Sequence, residues 1–439
     1  MLCNLLLFSL LATSPVDVEV TELTLTPTEA TAPTRELSLR PDTLPRLDGN
    51  GAAMFFRAAL IVDDTAERYE ARDAALSAGR ENATPEQLDA ARDALAFGLG
   101  TDFKDPLTVA ARYRTVDWDI PLQARGFEAV LPELNKMREM ANLLVDEARF
   151  AIEFGESVKG VFDPETSTTR TEIETLDGRG VDLLVAENVR LLIALADAAE
   201  RQPVLVSSLI GAGIRAQAFD LIRTAIQRPG STNFGAALRE LGPPRYDLAR
   251  LIAGERDGIE ATFPSIALIR ARDSVSQEVH DAFLGRLTEL ATAYQWDSST
   301  PAKAIDYDAE QIRAQVLALD TALARLTAAA GGSLEAFQEA AEAFEDNDGF
   351  GPLKQVTASF DRVAATFVML EREYRLLVLL ETLRAAAATD GLPDTLDAVG
   401  VPAIDPTTGE PFGYETTDAG FVLTSSGDRP VRYDVTLRD

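Results

Sequence analysis

The chain has 439 residues, enough for two or three domains around a substantial core, and its 46% hydrophobic content at a mean hydropathy of -0.03 excludes a chain disordered throughout. It carries 71 acidic against 41 basic side chains, a formal net charge of -30, and no basic stripe along its length, so nucleic acid and anionic membrane surfaces are expected to be poor partners. With one cysteine, Cys3, and one histidine, His280, zinc sites and Cys-His catalysis are excluded, and the acidity reads as solubility in a salty or wall-facing environment.

Residues 1–14 read as a signal peptide. Leu5 to Ala12 form an apolar run of leader length, too short to span a bilayer, although the usual basic residues before it are missing. Cleavage near Ala12 to Ser14 would remove Cys3, and the expected location is the periplasm, cell envelope or extracellular space. Residues 15–48, rich in Thr, Pro and Glu, read as an extended linker with one short strand at Val16 to Leu25.

Residues 49–350 read as a helical body, because Ala, Leu, Arg and Glu dominate and apolar residues recur at spacings of three and four. Phe55, Ala59, Val62, Ala66 and Tyr69 mark one face of a first helix. Thr84-Pro85-Glu86-Gln87 announces the next, with Thr84 as cap and Gln87 reaching back to it. Helical patterning follows over Pro121 to Glu156, Val181 to Arg201, Pro203 to Gln227, Ser231 to Leu241, Pro244 to Ala261, Ser265 to Tyr294, Asp308 to Ala330 and Ser333 to Glu345. A Thr- and Glu-rich insert between Val161 and Gly180 reads as a surface loop or hairpin.

Residues 351–439 read as a small α+β module. A helix from about Pro352 to Ala388 is apolar on every side at Leu376 to Leu380, so other elements must bury that end. Period-two runs at Phe412/Tyr414, Phe421/Leu423 and Val431/Tyr433/Val435/Leu437 predict three antiparallel strands leaning on it. The fold class is therefore mainly α, a multi-helix body followed by a long helix with a three-stranded antiparallel sheet.

The order of a long helix, Leu392-Pro393, a short leucine-bearing turn at Thr395 to Val399, Asp405-Pro406 with Gly409, Phe412 to Tyr414, and Phe421 to Gly427 resembles the C-terminal module of type II secretion pseudopilins. The resemblance covers about the last fifth of the chain. It departs from that family in having the helix internal, which argues against assembly into a pilus. It implies a candidate calcium loop through Asp405, Asp418 or Asp428, although Ser425-Ser426-Gly427-Asp428-Arg429 is one residue short of the family pattern; three solvated turn carboxylates are the plainer reading. Leu191 to Ile222 is similar to the body of uncharacterised exported bacterial proteins, which implies no activity.

Other motifs are weak. Gly211-Ala212-Gly213-Ile214-Arg215-Ala216 matches a dinucleotide-loop pattern, but position 231 is Ser where an acid is needed, so close helix packing at the glycines is the better reading. Asp346-Asn347-Asp348-Gly349 fails as an EF-hand because Phe344 and Gln355 fall on ligand positions, and it reads as a helix stop. His280 is expected on a helix with Asp281 pointing elsewhere. Trp118, between Asp117 and Asp119, could stack on a sugar or fasten a loop to the core. Acid pairs such as Asp63/Glu67 or Glu371/Glu373 cannot be ranked among 71 carboxylates.

No catalytic, cofactor-binding or metal residue is assigned, no cofactor is expected, and no integral membrane span is expected. The expected role is an exported structural or protein-interaction component of the cell envelope, with protein partners and an association with a secretion or pilus-like system. The alternatives are a secreted hydrolase using paired carboxylates or a carbohydrate-binding protein centred on Trp118.

Overall fold

A computed structural model describes residues 18–62, 65–100, 103–119, 134–163, 168–293, 307–332, 334–355, 357, 359–401, 403–427 and 429–438. Strand β1 (Glu19–Leu25) leads through residues 26–46 to β2 (Leu47–Asn50), and helices α1 (Ala52–Ile61), α2 (Ala66–Asn82), α3 (Pro85–Leu99) and α4 (Lys104–Ala110) follow before β3 (Tyr113–Thr115). The stripe from Phe55 to Tyr69 is split between two helices, a correction to the single helix expected. Val62 adopts extended backbone at the end of α1, and Tyr69 is 44% exposed instead of facing the core. Thr84 and Gln87 form the reciprocal cap read from the sequence, which fixes the start of α3.

The centre of the body is built from α5 (Leu134–Phe154), α6 (Gly178–Glu200) and α7 (Leu205–Ala225). Between α5 and α6 the Thr- and Glu-rich insert is an antiparallel hairpin, β4 (Glu156–Asp163) with β5 (Thr168–Thr175). Helix α7 is, among the described residues, the one helix long and apolar enough to cross a membrane, yet most of it is buried as a core helix of the body. A four-residue link turns α6 back onto α7, so the two pack along their length.

Beyond α8 (Gly235–Leu241), helix α9 (Leu248–Thr262) crosses that link closely. A Cβ at Gly254 would stand 1.5 Å from the Pro203 carbonyl oxygen, so only glycine fits. The single helix expected from Ser265 to Tyr294 is two, α10 (Ser265–Arg270) and α11 (Gln277–Ala293), and the second starts afresh where Ser276 Oγ accepts from the Val279 N–H at 3.5 Å. Helices α12 (Ala309–Ala329) and α13 (Leu334–Glu345) lead into a 3-10 segment, Asp348–Gln355, bent at Gly351 (φ 54°), so the long helix α14 begins only at Phe360 and runs to Thr389.

The C-terminal strands β6 (Gly413–Thr417), β7 (Gly420–Thr424) and β8 (Val431–Leu437) are antiparallel neighbours as expected. The sheet has a fourth strand: β1 lies parallel to β8, Glu19 opposite Val431 through Leu25 opposite Leu437. A pairing between segments some four hundred residues apart leaves no local pattern to read. Phe421, Leu423, Val431, Tyr433 and Val435 point into the core that also holds Leu376 to Leu380 of α14.

Polar contacts fix the module to the helix. Arg372 on α14 donates to the Arg429 carbonyl at 2.7 Å and to Ser425 Oγ at 3.2 Å, while Tyr433 donates to Glu373 at 2.9 Å. Fully buried Arg384 ties three segments together. It donates to the Thr26 carbonyl beyond β1 (2.8 Å), to the Ser231 carbonyl between α7 and α8 (2.6 Å) and to Glu381 on its own helix (3.0 Å). One continuous apolar cluster runs from Leu23 to Val435.

Candidate functional site

The sequence places Asp197 and Glu200 in the last turn of α6, Arg201 directly after it and Arg215 in the middle of α7. Because the two helices are antiparallel neighbours, Arg215 comes to lie against the end of α6. Its Nη2 donates to Asp197 Oδ1 at 2.7 Å and to Glu200 Oε2 at 3.0 Å. Gly211, one turn earlier on α7, is the residue that allows the approach: a Cβ there would meet the Ala196 carbonyl oxygen at 2.8 Å and Glu200 Cγ at 2.6 Å. Gly213 faces open space. The glycine pair is thus a packing device on one side only.

Above this pair opens a cleft of about 900 Å³. One wall comes from residues 40–46, the end of α4 and β3, with Arg40, Arg46, Tyr113 and Arg114. The rest of the rim is the end of α8, the Gly242-Pro243-Pro244 turn and the start of α9, with Arg239, Arg245 and Arg250. Gly242 takes φ 76° to end α8, and two prolines then hold the turn in a fixed shape, so the arginines on either side of it are presented from rigid backbone.

Eight arginines line the cleft against five carboxylates. In a chain of charge -30 that is a reversal of sign within one concavity. The carboxylates are largely committed. Asp42 pairs with Arg40 and Arg46, Asp197 and Glu200 hold Arg215, and Asp247 caps α9. Arg114, Arg201, Arg239 and Arg245 form no side-chain hydrogen bond or ion pair among the described residues. Burial, and then the positive charges of Arg114 and Arg40, pull the Arg46 guanidinium below its ordinary value. These three cations share one wall and repel one another there, the situation an anion relieves.

The floor is polar and incompletely satisfied. Glu200 Oε1, Arg215 Nε and the Tyr246 hydroxyl are buried with no hydrogen-bond partner among the described residues. Burial pushes the Glu200 carboxyl up to about 7, with Arg215 opposing and Asp197 reinforcing the shift. Burial and the Glu200 charge push the Tyr246 phenol up, and the two carboxylates outweigh burial to hold Arg215 above its ordinary value. Tyr246 is kept in place by flat stacking on Phe367 of α14, ring centroids 3.5 Å apart.

The residues singled out in the sequence lie elsewhere. Trp118 is 7% exposed, donates to the Ala198 carbonyl at 2.8 Å and packs against Phe55 and Phe56, so it fastens a loop to α6 and offers no face to a sugar. His280 does pair with Asp281, Nδ1 to Oδ1 at 3.0 Å, contrary to the expectation that the two diverge; Nε2 lies 2.8 Å from the Tyr307 carbonyl. The Asp281 carboxylate and the Tyr307 carbonyl both favour the imidazolium and raise its pKa.

Asp405 is buried and accepts from the Thr407 N–H and hydroxyl, whereas Asp418 sits at the opposite end of the β6–β7 hairpin, so these two cannot share an ion. Asp428, Asp63 and Cys3 lie outside the described residues. Asp346 to Gly349 is a helix stop, with Asn347 Oδ1 accepting from Gly349 N–H. Glu371 pairs with Arg375, and Glu373 with Arg223, so neither acid is free to pair with the other.

The cleft itself was missed by sequence reading because its arginines are scattered from residue 40 to residue 250. The one local signal is the apolar stretch Leu191 to Ile222, where Asp197, Glu200 and Arg215 are charges embedded in core helices. Comparisons with protein-family models, with curated proteins and with solved structures returned no match.

Proposed function

We propose that this chain is an exported, noncatalytic protein of the cell envelope that acts by binding, and that its arginine-lined cleft receives an anionic ligand. The observation that carries the reading is the set of four unpaired arginines gathered with Arg215 in one concavity of an otherwise acidic molecule. Guanidinium groups suit carboxylate and phosphate because two parallel N–H donors match two oxygens. The envelope setting rests on the leader-like Leu5 to Ala12, and association with a secretion or pilus-like system rests on the C-terminal pattern from Leu392 to Gly427.

A secreted hydrolase is the second reading, and Glu200 near 7 at the floor is what favours it. Asp197 and Glu200 share one guanidinium from the last turn of one helix, so they do not face each other across a space for a scissile bond. Binding is therefore the reading the geometry supports best.

The test is calorimetric titration with citrate at low salt. Saturable one-to-one binding that weakens about tenfold or more in the R114Q/R239Q/R245Q variant supports it. No binding, or equal binding by the variant, overturns it. Added salt should weaken the interaction, since the wall arginines are exposed.

A further inference from the structure

Lys104, Glu147 and Asn188 meet at one point inside the body although they come from three helices. Lys104 opens α4, Glu147 lies in the second half of α5 and Asn188 in the middle of α6. Lys104 Nζ donates to Glu147 Oε2 at 2.8 Å and to Asn188 Oδ1 at 3.1 Å. Asn188 Nδ2 donates to the same Glu147 oxygen at 2.7 Å and to the Leu144 carbonyl at 2.9 Å, which fixes the plane of the amide. Asn188 is fully buried, Glu147 is 5% exposed and the Lys104 side chain 20% exposed. A buried ion pair needs no amide between its partners, and in this chain it needs no lysine. Only five of the 41 basic residues are lysine, and the buried cations Arg72, Arg215, Arg372 and Arg384 are arginine. Lysine differs from arginine in that it can give up its proton and become a nucleophile.

We propose that Lys104 and Asn188 join in an isopeptide bond, with Glu147 carrying the proton, so that the start of α4 is covalently tied to α6. Burial by itself pulls the Lys104 amine down, and the Glu147 and Glu187 carboxylates outweigh it, so the resting pair is ammonium and carboxylate. The first step moves a proton across the 2.8 Å hydrogen bond to Glu147, leaving a neutral amine beside a neutral acid, a pair that burial favours. The free amine then attacks Asn188 Cγ, one bond beyond the oxygen it already touches, and forms the Nζ–Cγ bond. Glu147, in contact with both nitrogens, passes the proton to Nδ2 as the Cγ–Nδ2 bond breaks. The new amide keeps a single hydrogen and the others leave with the departing nitrogen as ammonium, so Glu147 ends as the carboxylate it was. No oxidant or co-reactant enters. The bond joins residues 84 positions apart. With a single cysteine this sequence can form no disulfide within itself, and the amide places the same constraint on the unfolded chain in a form that reduction does not break.

The test is mass spectrometry of the purified full chain, intact and after tryptic digestion. The expected result is a mass lower by one ammonia, about 17 Da, together with a branched peptide in which the Lys104 and Asn188 segments are joined and trypsin has not cut after Lys104. Glu147→Gln, which cannot carry the proton, should retain the ammonia and give the two segments as separate peptides. The wild-type measurement decides by itself even where Glu147→Gln fails to fold. A wild-type chain of full mass with separate Lys104 and Asn188 peptides overturns the proposal, and so does loss of ammonia without the branched peptide, which marks a succinimide at asparagine. A branched peptide formed equally in Glu147→Gln overturns the role given to Glu147.

Discussion

Gly211 of α7 lies so close to Glu200 of α6 that a Cβ at position 211 would stand 2.6 Å from Glu200 Cγ and 3.0 Å from its Oε1. The polar floor of the cleft therefore depends on a residue with no side chain. Gly211→Ala should destabilise the protein by about 1–3 kcal/mol, because the helices must separate or Glu200 must leave its place. Gly213→Ala, facing open space on the same helix, should be neutral or stabilising by up to about 1 kcal/mol. Urea unfolding of the two variants checks this, and equal stabilities would count against the packing described.

Three buried glutamates, Glu200, Glu255 and Glu381, are each pushed up to about 7 by burial from an ordinary value of 4.5. A carboxyl raised on folding binds its proton more tightly in the native state. Its contribution is fully present below pH 4.5 and is lost as pH rises through 7. Stability should accordingly fall between these limits. Glu255→Gln keeps an oxygen for the Leu205 N–H, 2.8 Å away, and should flatten the slope without unfolding the protein. Unfolding free energies at pH 5 and pH 7.5 for both proteins provide the measure; an unchanged slope would contradict the assignment.

Arg384 donates to five acceptor atoms outside its own helix, on the four residues Thr26, Thr28, Ser231 and Thr232, and to a sixth on Glu381. Arg384→Met strands a buried carboxyl and should cost roughly 3–5 kcal/mol. Adding Glu381→Gln should recover part of the loss, since the stranded charge goes with it. A double variant less stable than the single one would mean that the pair is not the origin of the cost.

The single histidine gives a clean titration. His280 should show a midpoint above the ordinary histidine value by NMR, and Asp281→Asn should lower it, because the Asp281 carboxylate is the largest cause of the shift. With a raised pKa, the pairing supports folding below the unfolded value and is lost as pH rises through the folded one. A midpoint at or below the ordinary value would show that the two side chains diverge in solution.

What was legible in the sequence was local. The Thr84–Gln87 cap, the α6 and α7 pair, the insert hairpin and the inward residues of β7 and β8 each follow from patterns within a few residues. The breaks at Val62 and at residues 271–276 were hidden because the apolar spacing continues across them while the backbone does not. The parallel pairing of β1 with β8 was out of reach because no short-range rule links the two ends of the chain. The cleft was invisible for the same reason: Arg114, Arg215 and Arg245 are neighbours only after folding, and a net charge of -30 masks a local excess of cations.

The most direct measurement is the position of a heavy oxyanion in a crystal of this protein. Tungstate soaked in at low salt should give an anomalous peak inside the cleft, within hydrogen-bonding distance of at least two of Arg114, Arg201, Arg239 and Arg245. Peaks confined to other surfaces, with the cleft unlabelled at saturating tungstate, would contradict the account.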